Sequence, residues 1–146
     1  MVDFTSYKEI KLTDIADIER AKKGKMYDAG CVIIQVSATD GQIYVLNEIQ
    51  EVETKYAVII PKIDVNGFYL KIAIEKELPK FLHQNQTGMN LQMDSFNTLK
   101  IKLHNRETQD YVEKILKEYD DNLRKEKEII DELKDMKKYY LANMFC

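Results

Sequence analysis

The last part of the chain, from Asn105 to Cys146, contains no glycine and no proline. Its apolar residues recur at helical spacing, beginning with Val112, Leu116 and Tyr119. A continuous helix of about 40 residues would be roughly 60 Å long at 1.5 Å per residue. That is far more helix than a domain of about 100 residues needs to cover its core. The pattern therefore predicts a small domain followed by a long helical arm.

A heptad pattern can be written along this segment with Val112 at position d. The a and d positions are then mostly apolar, and Glu126 and Lys137 interrupt them. Such a stripe favours a coiled-coil arm that packs on a second helix, with a helix folded back on its own domain as the alternative. Asn105 or Thr108 is predicted to cap the helix. The predicted pairing residues are Val112, Leu116, Tyr119, Leu123, Ile130, Leu133, Met136 and Tyr140.

Residues 1–104 predict a small mixed α/β domain, so the fold class of the whole chain is α+β. Valine, isoleucine and tyrosine are frequent in its short apolar runs, which favours strands. A Thr39–Gly41 turn is predicted between the first two main strands. The predicted strands are Cys31–Ala38, Gln42–Leu46, Lys55–Lys62 and Lys100–His104.

Two helical stretches are also predicted in this domain. A short turn within Lys11–Glu19, with Thr13 as its N-cap, precedes a strand. A longer helix covers residues 66–86, and Pro79 is expected to kink or split it. Another turn, before the closing strand, is expected to be capped by Asp94 or Ser95.

Composition and charge limit the class of protein. The chain is 45% hydrophobic and 32% charged, and it contains no apolar run near the roughly 20 residues of a membrane span. The first ten residues lack the apolar stretch of a signal peptide. The two cysteines, Cys31 and Cys146, form no disulfide framework and fit a reducing cytoplasm.

The net charge is −3, from 22 basic and 25 acidic side chains. Neither part is basic, because residues 1–105 carry 13 basic and 14 acidic side chains and residues 106–146 carry 9 and 11. Nucleic-acid binding usually needs a positive footprint. Contact with DNA would therefore depend on local patches or on a basic partner.

The densest basic stretch is Arg20, Lys22, Lys23 and Lys25, in which Gly24 permits close approach to the backbone. Such a turn can hold phosphates. A solvated turn that is rich in lysine only for solubility is the alternative.

The segment from His83 to Gln92 holds three glutamines and two asparagines with almost no charge. Side-chain amides can pair bidentately with adenine edges in the major groove, so this segment is a candidate for reading sequence. A plain polar loop that turns at Gly88 is the alternative. The candidate residues are Gln84, Asn85, Gln86, Thr87, Asn90 and Gln92.

The sequence offers little support for catalysis. His83 and His104 are the only histidines, and neither lies near a cysteine or a carboxylate cluster in sequence. Metal-binding, phosphate-loop, dinucleotide and nucleophile-elbow motifs are absent. We therefore expect no catalytic residues, no metal and no cofactor.

Four stretches together resemble the specificity (S) subunit of type I restriction-modification systems. The first, KLTDIADIERAKKGK, resembles the opening of a target-recognition domain, and the second, GFYLKIAIEKELPKFLHQNQTG, resembles the aromatic-rich helix and its following loop. The third, DSFNTLKIKLHNRETQDYVEKILKEYD, resembles the junction at which a Glu-x-Gln pair opens the long helix, with Glu107 and Gln109 in those places. The fourth, LKDMKKYYLANMF, resembles the end of the helical spacer.

This resemblance implies a target-recognition domain at 1–104 and a helical spacer or dimerisation arm at 105–146. The unit is normally duplicated within one chain, so a half-size S subunit would pair through its helix to read a bipartite site in double-stranded DNA. Methyl transfer and cleavage would belong to partner subunits, including the modification (methyltransferase) subunit. The alternative is a non-catalytic decoy or regulator that docks on modification or specificity subunits through its helix, without productive DNA binding.

Overall fold

The structure is a computed structural model that describes residues 1–39 and 41–144. Asp40 of the predicted Thr39–Gly41 turn, and Phe145 and Cys146 at the end of the predicted helix, lie outside the described residues. The strands are β1 (Lys8–Lys11), β2 (Ala16–Arg20), β3 (Met26–Tyr27), β4 (Val32–Gln35), β5 (Ile43–Val45), β6 (Gln50–Glu51), β7 (Tyr56–Pro61), β8 (Gln86–Thr87), β9 (Asn90–Leu91) and β10 (Lys100–Leu103). The α-helices are α1 (Leu12–Ile15), α2 (Gly67–Asn85) and α3 (Arg106–Met144), and a 3-10 helix spans Met93–Thr98.

A four-stranded antiparallel sheet of order β2-β7-β4-β5 forms the centre of the domain. Its middle strands are apolar at consecutive positions because both faces of the sheet are covered. On β4, Val32 and Ile34 join the main core, whereas Ile33 joins a second core on the opposite face. Helix α2 covers the main-core face, to which it contributes the buried residues Leu70 and Ile74.

The predicted strands are confirmed with shorter bounds, and Cys31 lies immediately before β4 rather than within it. The first helical turn is confirmed too, but Thr13 is not its cap. Lys11 holds that position and makes no side-chain capping bond. Pro79 lies within the single helix α2, so the expected split is wrong.

The prediction that Asp94 or Ser95 caps the turn before the closing strand is also wrong. Asp94 and Ser95 lie inside the 3-10 helix, whose N-cap is Gln92, without a side-chain bond. The prediction for α3 holds, because the N–H of Thr108 donates to Oδ1 of Asn105 at 2.8 Å.

Three small two-stranded sheets complete the domain, namely β1-β10, β3-β6 and β8-β9. Strand β10 is half-buried as its alternating pattern predicts, with Ile101 in the main core and Lys100 exposed.

The chain divides into two compact units, Met1–Tyr111 and a second that begins at Val112. The first unit contains every strand and the first turn of α3. The second unit is the rest of this one helix.

Candidate nucleic-acid interface

The predicted basic turn connects β2 to β3 and is exposed from Lys22 to Met26. Gly24 has φ +81°, a left-handed conformation that glycine adopts without strain. Its N–H donates to Oε1 of Glu51 at 2.7 Å, which fastens the turn to β6.

Much of the positive charge of this turn is paired within the domain. Lys25 Nζ lies 2.6 Å from Oε1 of Glu19, and Lys22 Nζ lies 3.9 Å from Oε2 of the same carboxylate. The hydroxyl of Tyr27 also donates to Glu19, at 2.8 Å. The hydrogen bond from Lys25, followed by that from Tyr27, lowers the pKa of Glu19. Lys23 makes no ion pair with any residue that the structure describes.

Arg20, at the end of β2, points away from this cluster. Its Nε donates to the carbonyl oxygen of Thr54 at 2.8 Å, and its Nη2 donates to Oγ of Ser37 at 2.5 Å. The guanidinium is exposed, and its described partners are a carbonyl oxygen and a hydroxyl, so no described carboxylate forms an ion pair with it.

The predicted amide segment covers the end of α2, the β8-β9 hairpin and the residue after it. Gly88 has φ +61° and forms the turn of this hairpin. Asn85 is occupied at the helix end, since its Nδ2 donates to the carbonyl oxygen of Phe81 at 2.9 Å. Gln84, Thr87 and Gln92 are exposed and make no side-chain hydrogen bond to the part of the chain that the structure describes.

The β8-β9 hairpin is bound to the segment that follows β4. Nε2 of Gln86 donates to the carbonyl oxygen of Thr39 at 3.3 Å, and Oδ1 of Asn90 accepts from the N–H of Ala38 at 3.0 Å. Backbone bonds reinforce both contacts, from Thr39 N to Met89 O at 2.7 Å and from Leu91 N to Val36 O at 2.9 Å. Gln86 and Asn90 therefore hold the hairpin against the segment that follows β4.

A cleft of about 290 Å³ brings parts of the two predicted groups together. Arg20 comes from the basic stretch, and Asn90 and Gln92 come from the amide segment. The other predicted residues of both groups do not line it. Its full lining is Arg20, Val36, Ser37, Asn90, Leu91, Gln92, Met93 and Asp94. A guanidinium beside side-chain amides is the combination that reads guanine and adenine edges in the major groove.

The junction between the domain and the start of α3 contains buried polar residues, of which Asn66 was not singled out by the sequence patterns. Asn66 caps α2 by accepting from the N–H of Tyr69 at 3.0 Å, and its own N–H donates to Oε1 of Gln109 at 3.0 Å. Nε2 of Gln109 donates in turn to the carbonyl oxygen of His104 at 2.9 Å. Asn66, Thr108 and Gln109 are the buried polar residues of this region. The predicted cap and the Glu-x-Gln pair were the sequence signals of this junction, and neither indicated Asn66 as a partner of Gln109.

The predicted pairing residues of α3 are distributed along one exposed helix. Val112 and Leu116 are half-buried, and the remaining six are exposed by 46% to 59% of their surface. Those six are Tyr119, Leu123, Ile130, Leu133, Met136 and Tyr140. Exposed apolar side chains of this number and spacing are typical of a surface that packs on another helix.

The described residues contain no group of three or more histidine, cysteine, aspartate or glutamate side chains placed to hold a metal ion. None of the described helices combines the length and the apolar character that crossing a membrane requires. Burial raises the pKa of the Cys31 thiol, which disfavours the nucleophilic thiolate.

Comparison of the fold with solved structures identifies its architecture. An S subunit of a type I restriction-modification system from M. genitalium superposes with a TM-score of 0.66 at 14% identity, over 89% of this chain and 43% of that one. The chain has the S-subunit fold. The HsdS subunit from Thermoanaerobacter tengcongensis gives a TM-score of 0.62 at 15% identity, over 81% of this chain and 38% of that one.

A further chain with the S-subunit fold comes from work on complex assembly and conformational transition of the type I R-M system. It gives a TM-score of 0.65 at 15% identity, over 81% of this chain and 39% of that one. The present chain thus spans about two fifths of the length of each matched structure. No family model matches the sequence, and no curated protein matches it. The resemblance read from the sequence is confirmed at the level of the fold.

Proposed function

We propose that this chain is a DNA sequence-recognition subunit of a type I restriction-modification system, in a half-size form that pairs through its C-terminal helix. The observation that carries the proposal is the S-subunit fold, which extends over 81% to 89% of the chain. The chain holds one recognition-type domain and one long helix, where the family normally holds two of each.

In this proposal the cleft reads bases. Arg20 suits a guanine edge, because its guanidinium can donate to the O6 and N7 acceptors of that base. Gln92 suits an adenine edge, because its amide can accept from N6 and donate to N7. Lys22, Lys23 and Lys25, on the turn that follows Arg20 in sequence, contact phosphates and position the domain without reading sequence.

Pairing through α3 supplies the second half-site. The helix has 39 residues, which corresponds to roughly 58 Å at 1.5 Å per residue. Two copies related by a two-fold axis present identical recognition domains in opposite orientations. The target is therefore a palindromic bipartite sequence whose spacing is set by the helix.

The chain itself is non-catalytic in this proposal. Methyl transfer and cleavage are supplied by partner subunits in the cytoplasm, among them the modification (methyltransferase) subunit. The chain needs no cofactor and no metal for the role.

Two observations favour a second candidate, a decoy or regulator that docks on modification or specificity subunits through α3. Lys22 and Lys25 are both paired with Glu19, and the chain carries a net charge of −3. Both facts reduce the positive potential available to DNA.

Selection from a random-sequence duplex library, with the purified chain alone and with a type I modification subunit, tests both candidates. The recognition role predicts enrichment of an inverted repeat with a fixed spacer, and affinity that falls as salt rises. Enrichment of one isolated half-site would contradict the paired arrangement. Stable binding to the modification subunit without any DNA selection would support the decoy.

A further inference from the structure

The β1-β10 pair presents lysines on its outer face. Ile10 and Ile101 are direct partners in the register, and both pack on the main core. Because side chains alternate along a strand, their neighbours face the opposite way. This places Lys11 directly opposite Lys100 on the outer face, and both are exposed.

Like charges directly opposite each other destabilise a strand pair. Neither Lys11 nor Lys100 has a carboxylate partner among the described residues to offset this repulsion, in contrast to Lys22 and Lys25 of the basic turn. The next pair of the register, Glu9 and Lys102, also forms no ion pair within the described residues. Lys102 instead lies over the ring of Tyr7, 4.6 Å from its centroid.

A groove of about 370 Å³ lies between α2 and β10 and extends this positive surface. Helix α2 adds Lys80, which is exposed and likewise has no carboxylate partner in the described part of the chain. Three lysines against two carboxylates leave the groove positive in a chain whose net charge is −3. Its charged and amide lining is Glu9, Glu77, Lys80, Gln84, Lys100 and Lys102. We name Lys11, Lys80, Lys100 and Lys102 the lysine face. Asp14 lines the adjoining pocket with Lys11 and Lys100, so the four lysines outnumber the three neighbouring carboxylates by one.

The 3-10 helix separates this groove from the base-reading cleft. Met93 and Asp94 at its start line the cleft, and Thr98 at its end lines the groove. The five rises of about 2 Å between Met93 and Thr98 give a separation of about 10 Å, which is comparable with the width of the major groove, about 12 Å. A duplex whose bases enter the cleft can therefore place a phosphate strand near the groove.

We propose that the lysine face binds the sugar–phosphate backbone of the duplex that the cleft reads. The inference builds on the proposed function and assigns phosphate contacts to lysines that the sequence patterns did not select. Phosphates would supply the close anionic partners that Lys11 and Lys100 lack, since neither lysine forms an ion pair with a described carboxylate although Glu9 and Asp14 line the same pocket. The surface is suited to positioning and not to sequence reading, since ammonium groups act as point charges.

The test measures affinity for a mixed-sequence duplex of about 24 base pairs by fluorescence anisotropy, between about 50 and about 200 mM salt. The test variant is Lys11→Gln/Lys100→Gln/Lys102→Gln. The matched control, Lys114→Gln/Lys125→Gln/Lys138→Gln, removes the same charge from α3 positions off the apolar stripe. A third variant replaces the same three strand lysines by arginine, which keeps the charge.

The expected result for the test variant is that the negative slope of log K against log salt becomes about two to three units less steep, because each lost phosphate contact reduces its magnitude by about 0.9. The arginine variant and the control should keep the original slope, and thermal unfolding should show that all variants are folded.

An unchanged slope in a folded test variant would overturn the inference and leave the recognition role intact. If that variant lost only its binding to a modification subunit, the surface would belong to an acidic protein partner. If the unaltered chain bound no duplex at any salt, the proposed function would fail first.

Discussion

The buried side-chain amide of Gln109 connects the start of α2 to the residue before α3, because its oxygen and its nitrogen each form a hydrogen bond. Its oxygen accepts from Asn66 at the start of α2, and its nitrogen donates to the backbone of His104 just before α3. Only 4% of its surface is exposed, so water cannot replace either partner. The Gln of the Glu-x-Gln pair is thus a structural residue of the first unit.

We expect Gln109→Ala to lower the free energy of unfolding by about 1–3 kcal/mol, because the Asn66 N–H and the His104 carbonyl lose their buried partner. Urea denaturation of this variant beside Gln84→Ala measures the effect. Gln84 is exposed, so that control should stay within about 0.5 kcal/mol of the unaltered chain. Equal stability of the two variants would show that the junction does not depend on Gln109.

The carboxylate of Glu19 gives a pH-dependent prediction. Its pKa in the folded domain is lowered from an ordinary 4.5, chiefly by the hydrogen bond from Lys25. A lowered carboxyl pKa stabilises the fold above the ordinary pKa, and this contribution is lost as pH falls through the folded pKa. Glu19→Gln should therefore destabilise the domain near neutral pH, and the difference from the unaltered chain should shrink below about pH 4.5.

Urea denaturation at neutral pH and near pH 3 checks the sign, with Glu48→Gln at an exposed position as the control. A difference that grew in acid would mean that the ionised form is not the one favoured by the fold.

At the scale of elements, the β8-β9 hairpin supports the wall of the cleft. Ala38 has φ +51°, a left-handed conformation that costs about 1–2 kcal/mol for a residue with a Cβ. Oδ1 of Asn90 accepts from the N–H of that residue and helps to hold it. Gln92, one position beyond β9, lines the same cleft with no described hydrogen bond to its side chain.

The two amides should therefore respond differently to substitution. Asn90→Ala should lower stability by about 1 kcal/mol, because the bond to Ala38 is lost. Gln92→Ala should leave stability unchanged and relax the preference for one base pair, by about 1–3 kcal/mol of discrimination. Thermal unfolding and selection from a randomised duplex library measure the two effects. A stable Gln92 variant with unchanged preference would remove Gln92 from the reading role.

The main elements were predictable from the sequence because they bury large surfaces. Strand β7 and helix α2 have strong apolar patterns, and both were placed within a few residues of their bounds. Strands β3 and β6 have two residues each, which is too few to show any periodicity. They pair with each other although they are far apart in sequence, which a local pattern cannot reveal. Caps were harder, since Lys11 and Gln92 occupy cap positions without the side-chain bond on which a cap prediction relies.

At the scale of the whole molecule, the density of basic residues along the sequence did not reveal which surfaces are positive. The densest basic stretch lies close to Glu19, which neutralises part of it, whereas lysines from three separate elements form the lysine face. The cleft is likewise assembled from Arg20, Ser37 and Gln92, which are distant in sequence. Residue types predicted the chemistry of the site, but only the strand register and the hairpin contacts decided which residues meet.

In the proposed function, pairing through α3 would turn one recognition-type domain into a reader of two half-sites. Its apolar stripe is exposed along the second unit, with 46% of Leu123 and 58% of Leu133 accessible. A two-fold pairing would cover this stripe, since each a and d side chain packs into a hole on the partner helix.

Leu123→Glu would bury one charge per copy against apolar partners, with little change in intrinsic helix propensity. We expect a loss of about 3 kcal/mol or more, which corresponds to dimerisation at least about a hundredfold weaker. Lys125→Gln makes the same change in charge at heptad position c and should dimerise as the unaltered chain does.

Sedimentation equilibrium measures the association of all three, and selection from a duplex library reports the consequence for DNA. The Leu123 variant should enrich a single half-site in place of the inverted repeat. An unaltered chain that stayed monomeric at high micromolar concentration would exclude pairing, and the distance between half-sites would then have to be set by a partner subunit.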